Sequence, residues 1–169
     1  MARLFFALWP GDAVRAGMTA VMDRLPDRCG RLVKPGNLHI TLLFLGPISK
    51  AQEQCVLTGA RDIRISPQTL ILDTLGWWQR PQIIWLSSES NPGPLAELVD
   101  KLRSVAGRCE IKTDERNFAP HATLVRKAKK RVVLPEIAPV TWQVRDYCLV
   151  RADTRPEGAR YEVIWTSTK

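Results

Sequence analysis

Both histidines of the chain open the same four-residue pattern, His39-Ile40-Thr41-Leu42 and His121-Ala122-Thr123-Leu124, eighty-two positions apart. Each copy sits in an apolar, β-prone run. Strand side chains alternate faces with period two, so His and Thr of each copy share one face while Ile40/Leu42 and Ala122/Leu124 take the other. One such histidine reads most simply as a satisfied core or rim residue. Two copies that use every imidazole available argue for a polar cleft holding two imidazoles and two hydroxyls.

Neutral imidazole accepts a proton and imidazolium donates one, and near pH 6.5 both forms coexist. Two of them flanking one substrate can act as base and acid in a single step. The threonine hydroxyls can hydrogen-bond phosphate oxygens, and an arginine adds the planar fork that neutralises them. Arg126 lies just past the second motif. In a regular strand it would face away from His121 and Thr123, so service at the site requires the strand to end or bulge near Val125. Metal-free hydrolysis of a strained phosphodiester, such as a nucleoside 2′,3′-cyclic phosphate, matches this set. Other two-histidine reactions remain open on these residues alone. No nucleophile elbow and no Walker or Rossmann glycine pattern is present.

The elements that must position these residues follow in order. Leu4–Trp9 reads as a buried strand, Pro10-Gly11 as a turn and Asp12 as an N-cap. Val14, Met18, Val21, Met22 and Leu25 form one apolar helical stripe ended by Pro26. Arg31–Lys34 suggests a short strand, and Pro35-Gly36-Asn37 turns into the first His strand, closed by Gly46-Pro47. Ser49 with Gln52 predicts a capping box for a helix to about Ala60. Ile63-Arg64-Ile65 and Thr69–Leu75 are short strand candidates, and Gly76–Pro81 reads as a loop holding Trp77 and Trp78. Ile83–Ser87 is a strand. Leu95, Leu98, Val99, Leu102 and Val105 mark a helix for which Gly107 suits the C-terminal cap. Trp142–Arg151 and Tyr161–Thr166 read as a long β-hairpin around Arg155–Gly158. The order strand, helix, His strand occurs twice, with Leu4 to His39 and Ile83 to His121 similarly spaced. That repeat predicts two pseudo-symmetric lobes with a histidine from each facing one cleft.

The 169 residues suit one domain. The net charge of +8 is uneven, because Lys101–Arg131 carries ten Lys/Arg against Glu110, Asp114 and Glu115. A basic field beside a candidate site attracts phosphates, although Lys127–Arg131 alone reads equally well as a solvated loop. Cys29, Cys55, Cys109 and Cys148 are widely spaced without a zinc pattern, so reduced structural thiols in a cytosol are expected. The apolar run Leu4–Trp9 is too short for a secretory core, and no stretch reaches the ~20 apolar residues of a membrane span. A cytoplasmic location follows as the expectation. Trp77 and Trp78 could stack a base, though packing is the commoner role. Phe44 and Trp85 are expected in the core.

With these motifs in view, the chain resembles the 2H phosphoesterase superfamily. Within it the likeness is to the prokaryotic RNA 2′,3′-cyclic phosphodiesterases, also called 2′-5′ RNA ligases. The matching stretches are 3–8, 37–46, 84–86, 118–126 and 158–162, so the resemblance spans nearly the whole chain. Leu32 departs from it, since relatives often carry an aromatic residue there. The resemblance implies an α+β fold of two antiparallel-sheet lobes with outer helices and the cleft between them, forming one bilobal domain over 1–169. It implies metal-independent opening of a 2′,3′-cyclic phosphate to a 2′-phosphate, with no cofactor. His39 becomes the proton donor, His121 the proton acceptor, and Thr41, Thr123 and Arg126 the phosphate ligands. RNA 2′,3′-cyclic phosphate ends, with tRNA halves as one example, are the expected partners, and a monomer is expected. A non-catalytic basic RNA-binding module and a sister enzyme acting on a small cyclic nucleotide are the alternatives.

Overall fold

The computed structural model describes residues 3–90 and 93–168. Its elements run β1 (Arg3–Leu8), α1 (Asp12–Asp23), β2 (Arg31–Leu32), β3 (Ile40–Pro47), α2 (Lys50–Ala60), β4 (Gln68–Leu72), β5 (Thr74–Trp78), β6 (Ile83–Ser87), α3 (Gly93–Arg108), β7 (Ala122–Arg126), β8 (Val140–Val144), β9 (Cys148–Arg155) and β10 (Gly158–Thr166). A one-turn 3-10 helix, Pro35–Asn37, sits between β2 and β3.

One antiparallel sheet carries the site. β10, β9, β1 and β3 form one half, and β7, β6 and β5 form the other, with β2 beside β7 as a fourth strand. The halves touch through a single pair, Ile40 opposite Ala122. Both side chains are fully buried. Withdrawing a residue the size of Ile40 from water stabilises by roughly 2 kcal/mol, and a one-residue slip would turn it outward. β4 and β8 make a separate two-stranded sheet. The α+β architecture and its antiparallel pairing are therefore as expected.

Most apolar side chains enter one large core between the inner face of the sheet and the helices, with Met18, Val21 and Met22 of α1 and Leu95 to Ala106 of α3 facing it. A second, smaller cluster of Phe5, Ala7, Cys148 and Val150 lies on the other face of the first half. Ser49 and Gln52 do form the capping box of α2.

Several local expectations are corrected. The N-cap of α1 is Gly11, and Asp12 occupies the first turn, where its carboxylate accepts a 2.9 Å hydrogen bond from Arg15 Nη1. At the end of α3, Gly107 stays helical. The left-handed residue is Glu110 (φ 56°), with Ile111 N–H donating to the Ala106 carbonyl and Glu110 N–H to that of Gly107. That is the double closure of a Schellman ending. Ile63–Ile65 is not a strand. The Gly76–Pro81 loop begins only after Trp78, because Gly76 to Trp78 pair with Trp85 to Ile83. The expected long hairpin is two elements: β8 pairs with β4, and only β9 pairs with β10. Between them Tyr147 is buried, its hydroxyl donating to the carbonyls of Ala60 and Ile63, which anchors the chain where it changes sheets.

The cysteines also differ from expectation. Cys55 on α2 and Cys109 at the end of α3 form a disulfide with Cα atoms 5.8 Å apart, while Cys29 and Cys148 are buried free thiols. The pair is 54 residues apart in sequence, so no spacing motif announces it. The packing of α2 on α3 makes it. Among the described residues no helix is long and apolar enough to cross a membrane.

Candidate active site

The Ile40–Ala122 rung places the two His-x-Thr-Leu motifs side by side. Residues paired across a ladder point to the same side, and Ile40 and Ala122 both enter the core. Their neighbours His39, Thr41, His121 and Thr123 are only partly buried and occupy the opposite face. All four expected residues therefore gather at one seam.

Each imidazole is held in the same way. His39 Nδ1 lies 2.7 Å from the Asn37 carbonyl and His121 Nδ1 lies 2.8 Å from the Ala119 carbonyl. A carbonyl only accepts, so in both rings Nδ1 carries the proton and Nε2 is left for chemistry. Nε2 of His39 is 3.1 Å from Thr41 Oγ1. Thr123 stands opposite Trp85 on the same face.

Arg126 reaches this face through a bulge. β6 and β7 pair as Ile83–Arg126 and Ile84–Val125, then slip to Trp85–Thr123, so Leu124 is the extra residue. Because Ile83 and Trp85 share a face of β6, Arg126 and Thr123 share a face of β7. The parity objection to Arg126 disappears. β3 slips in the same way against β1: Phe6 pairs with Leu43 and Ala7 with Thr41, skipping Leu42.

Three aromatic rings not expected at the site surround His39. Trp9 stacks on His39 at 5.4 Å, Phe5 lies at 5.0 Å, and Tyr161 meets it edge-on at 5.2 Å. Period-two alternation along the first strand carries the signal, because Phe5, Ala7 and Trp9 share a face. Parity also separates the adjacent tryptophans. Trp77 turns to the core side and donates its Nε1–H to the Ala128 carbonyl at 3.0 Å. Trp78 sits edge-on to His121 at 4.7 Å and leans on Trp85 at 5.1 Å. A Cβ at Gly76 would overlap the Trp85 ring, so the missing side chain makes room for that shelf. Phe44, expected in the core, is 50% exposed and stacks on Phe5 at 5.7 Å. Trp85 is half-buried on the site face.

Burial among these rings pulls the His39 pKa down from 6.5 to about 4; the Asn37 carbonyl opposes the shift, while Arg126 and His121 add to it. The His121 pKa is also lowered, first by burial and then by Arg126, against the pull of the Ala119 carbonyl. Arg126 acts on both imidazoles. Two cavities flank the pair. One is lined by Thr41, Phe44, Trp78, Arg116, Phe118 and His121. The other, of 180 Å³, includes Arg31, Lys34, Asn37, Arg126, Glu157 and Tyr161. Among the described residues no group of three or more His, Cys, Asp or Glu is placed to hold a metal ion. Two Nε2 atoms, hydroxyls and a guanidinium on one face can move protons on either side of a bound anion.

The fold and the paired motifs define a two-histidine phosphoesterase architecture, and the family model described as "2'-5' RNA ligase superfamily" matches residues 12–156. The chain belongs to the 2′-5′ RNA ligase superfamily. It is 37% identical over 134 residues to the RNA 2′,3′-cyclic phosphodiesterase of Escherichia coli, covering 79% of this chain and 76% of that one. It is 32% identical to the protein of the same name from Thermus thermophilus, over 96% of this chain and 87% of the relative. The crystal structure of E. coli LigT complexed with 3′-AMP superposes with a TM-score of 0.90 at 32% identity, covering 99% of both chains.

Proposed function

We propose that the chain is an RNA 2′,3′-cyclic phosphodiesterase. The observation that carries this reading is the seam: both His-x-Thr motifs meet at one rung, on one face, with identically oriented imidazoles. The names and the extent of similarity of its relatives support it.

Catalysis then runs in line. His121 Nε2 removes a proton from water as the water oxygen attacks phosphorus. The bond from phosphorus to the ribose 3′ oxygen breaks, and His39 delivers a proton to that oxygen, leaving a 2′-phosphate. Thr41, Thr123 and Arg126 hold the non-bridging oxygens. In the free chain both imidazoles are biased toward the neutral form, so His39 is charged for its role by the substrate. A bound phosphodiester anion offsets Arg126 and raises the His39 pKa. With a 5′-hydroxyl in place of water and the same proton roles, the step joins two ends through a 2′-5′ linkage; its reverse, attack of the 3′-hydroxyl on that linkage, exchanges the roles. RNA ends, tRNA halves among them, are the substrates in this reading. The whole chain acts as a single bilobal domain, a monomer in the cytoplasm.

The test is turnover of an oligonucleotide ending in a 2′,3′-cyclic phosphate, with the product resolved as 2′- or 3′-phosphate. His39→Ala and His121→Ala each lower kcat by at least about 10²-fold, the wild-type product is the 2′-phosphate, and EDTA leaves the rate unchanged. Near wild-type turnover by either variant sinks the assignment.

A further inference from the structure

Arg31 stands directly opposite Arg126 in the β2–β7 pair. Like charges set face to face across a ladder repel, so this rung needs a reason. Neither side chain forms a salt bridge or a hydrogen bond among the described residues. Both line the 180 Å³ cavity, with Lys34 as a third cation and Glu157 as its one carboxylate.

The backbone presses the two strands together. Gly30, at φ +148°, comes so close that a Cβ there would lie 2.7 Å from both the Arg126 carbonyl oxygen and Val125 Cγ1. Val33 N–H donates to the Leu124 carbonyl at 2.9 Å on the other side of the pair. The repulsion is thus built in and held. An arrangement of this kind is relieved by anions, and two guanidinium forks one strand-pair apart, about 5 Å between Cα atoms, can each take one of two neighbouring phosphates. Arg126 acts electrostatically on both histidines and so belongs to the reacting phosphate. Arg31 lies one strand farther out. The cavity wall continues there over exposed Leu32 to the β9–β10 turn, which Asn37 Nδ2 grips through the Ala159 carbonyl at 3.0 Å.

We propose that Arg31, assisted by Lys34, binds the internucleotide phosphodiester on the 5′ side of the terminal nucleotide, so that the Arg31–Arg126 rung spans two successive phosphates. This rests on the proposed function and adds a substrate preference: an RNA strand end over a free cyclic nucleotide. The strand leaves the histidines across β2 and past the β9–β10 turn.

The experiment uses two dinucleotides ending in a 2′,3′-cyclic phosphate, one with its natural internucleotide linkage and one with a neutral methylphosphonate there. Wild type favours the charged linkage by about ten-fold in kcat/KM, mainly through KM, as suits one charge-assisted contact. In Arg31→Ala that ratio falls close to one, Lys34→Ala lowers it part-way, and Arg31→Lys keeps most of it. The melting temperature of Arg31→Ala does not fall, since a repulsive rung has been removed. An unchanged ratio in Arg31→Ala, a wild type indifferent to the linkage charge, or a clear loss of stability overturns the inference while leaving the phosphodiesterase reading intact. A wild type that opens neither dinucleotide overturns both.

Discussion

Phe44 stands five residues after His39 as Arg126 stands five after His121. Each lies beyond a bulge whose skipped residue is the leucine of its own motif, Leu42 or Leu124. The two halves thus repeat the same backbone device and then diverge in chemistry, a ring on one side and a guanidinium on the other. The imidazoles are oriented alike, so this pair of positions adds to the asymmetry already set by the different rings around His39 and His121.

Arg126→Ala is therefore expected to lower kcat/KM on a cyclic-phosphate dinucleotide by about 10²-fold, the scale of losing a preorganised charge at developing oxyanions. Arg126→Lys recovers part of it, because the charge remains and the fork does not. Phe44→Ala, judged by the same steady-state assay, costs under about ten-fold, within the range of one stacking contact. Equal losses at the two positions would contradict the division of labour.

The lowered histidine pKa values set the pH response. Hydrolysis needs one imidazole neutral and one protonated, and in the free chain both titrate below 6.5, His39 near 4. The bell for kcat/KM, which reports the free enzyme, is centred below pH 6.5. The bell for kcat lies at higher pH, because bound anion raises the imidazoles. Inorganic phosphate binding carries the same signature: calorimetry in buffers of different ionisation heat detects proton uptake at pH 6. No proton uptake would remove substrate charging of His39 from the mechanism.

Stability follows the same group. The unfolded chain protonates His39 near pH 6.5 and the folded chain only near 4, so between those values the unfolded state holds more protons. Stability is complete above pH 6.5 and declines as pH falls toward 4, by about 3 kcal/mol at most. Chemical denaturation at pH 7 and pH 5 measures it, and His39→Gln flattens the difference.

The shelf behind His121 can be tested without touching a polar group. Gly76→Ala drives a methyl into the Trp85 ring, a backbone-mounted clash that costs about 1 to 3 kcal/mol. It displaces Trp78 as well, so kcat falls and the His121 ring resonances shift by NMR. An unmoved His121 signal in a folded variant would mean that the shelf only packs.

The disulfide predicts a thiol count. Denatured without reductant, the chain exposes two reactive thiols, Cys29 and Cys148, and with reductant four. Both free thiols have raised pKa values from burial, Cys148 to about 12, so the folded chain reacts slowly. Closing a loop of this length contributes about 4 kcal/mol in the chain-entropy picture, and Cys55→Ser should melt correspondingly lower.

What was legible in the sequence was whatever depends on near neighbours. Period-two alternation put His39 with Thr41 and His121 with Thr123, and the Ser49–Gln52 capping box marked the start of α2. The placing of Arg126 was legible only as a condition, because a bulge depends on how β6 runs past β7. The ring cage of Trp9, Phe5 and Tyr161 joins residues from both ends of the chain. Cys55 and Cys109 meet only after two helices pack, and β8 leaves the expected hairpin because β4, far upstream, offers it a partner.

The single rung at Ile40 and Ala122 also governs how this chain can change. Adding one residue between His39 and Thr41, or between His121 and Thr123, would turn the imidazole or its hydroxyl to the wrong side of the sheet. Those two short stretches are therefore intolerant of length variation, whereas the turn at Arg155–Gly158 pairs with neither histidine strand and, beyond the Asn37 tie at Ala159, can lengthen and tailor which strand ends are admitted.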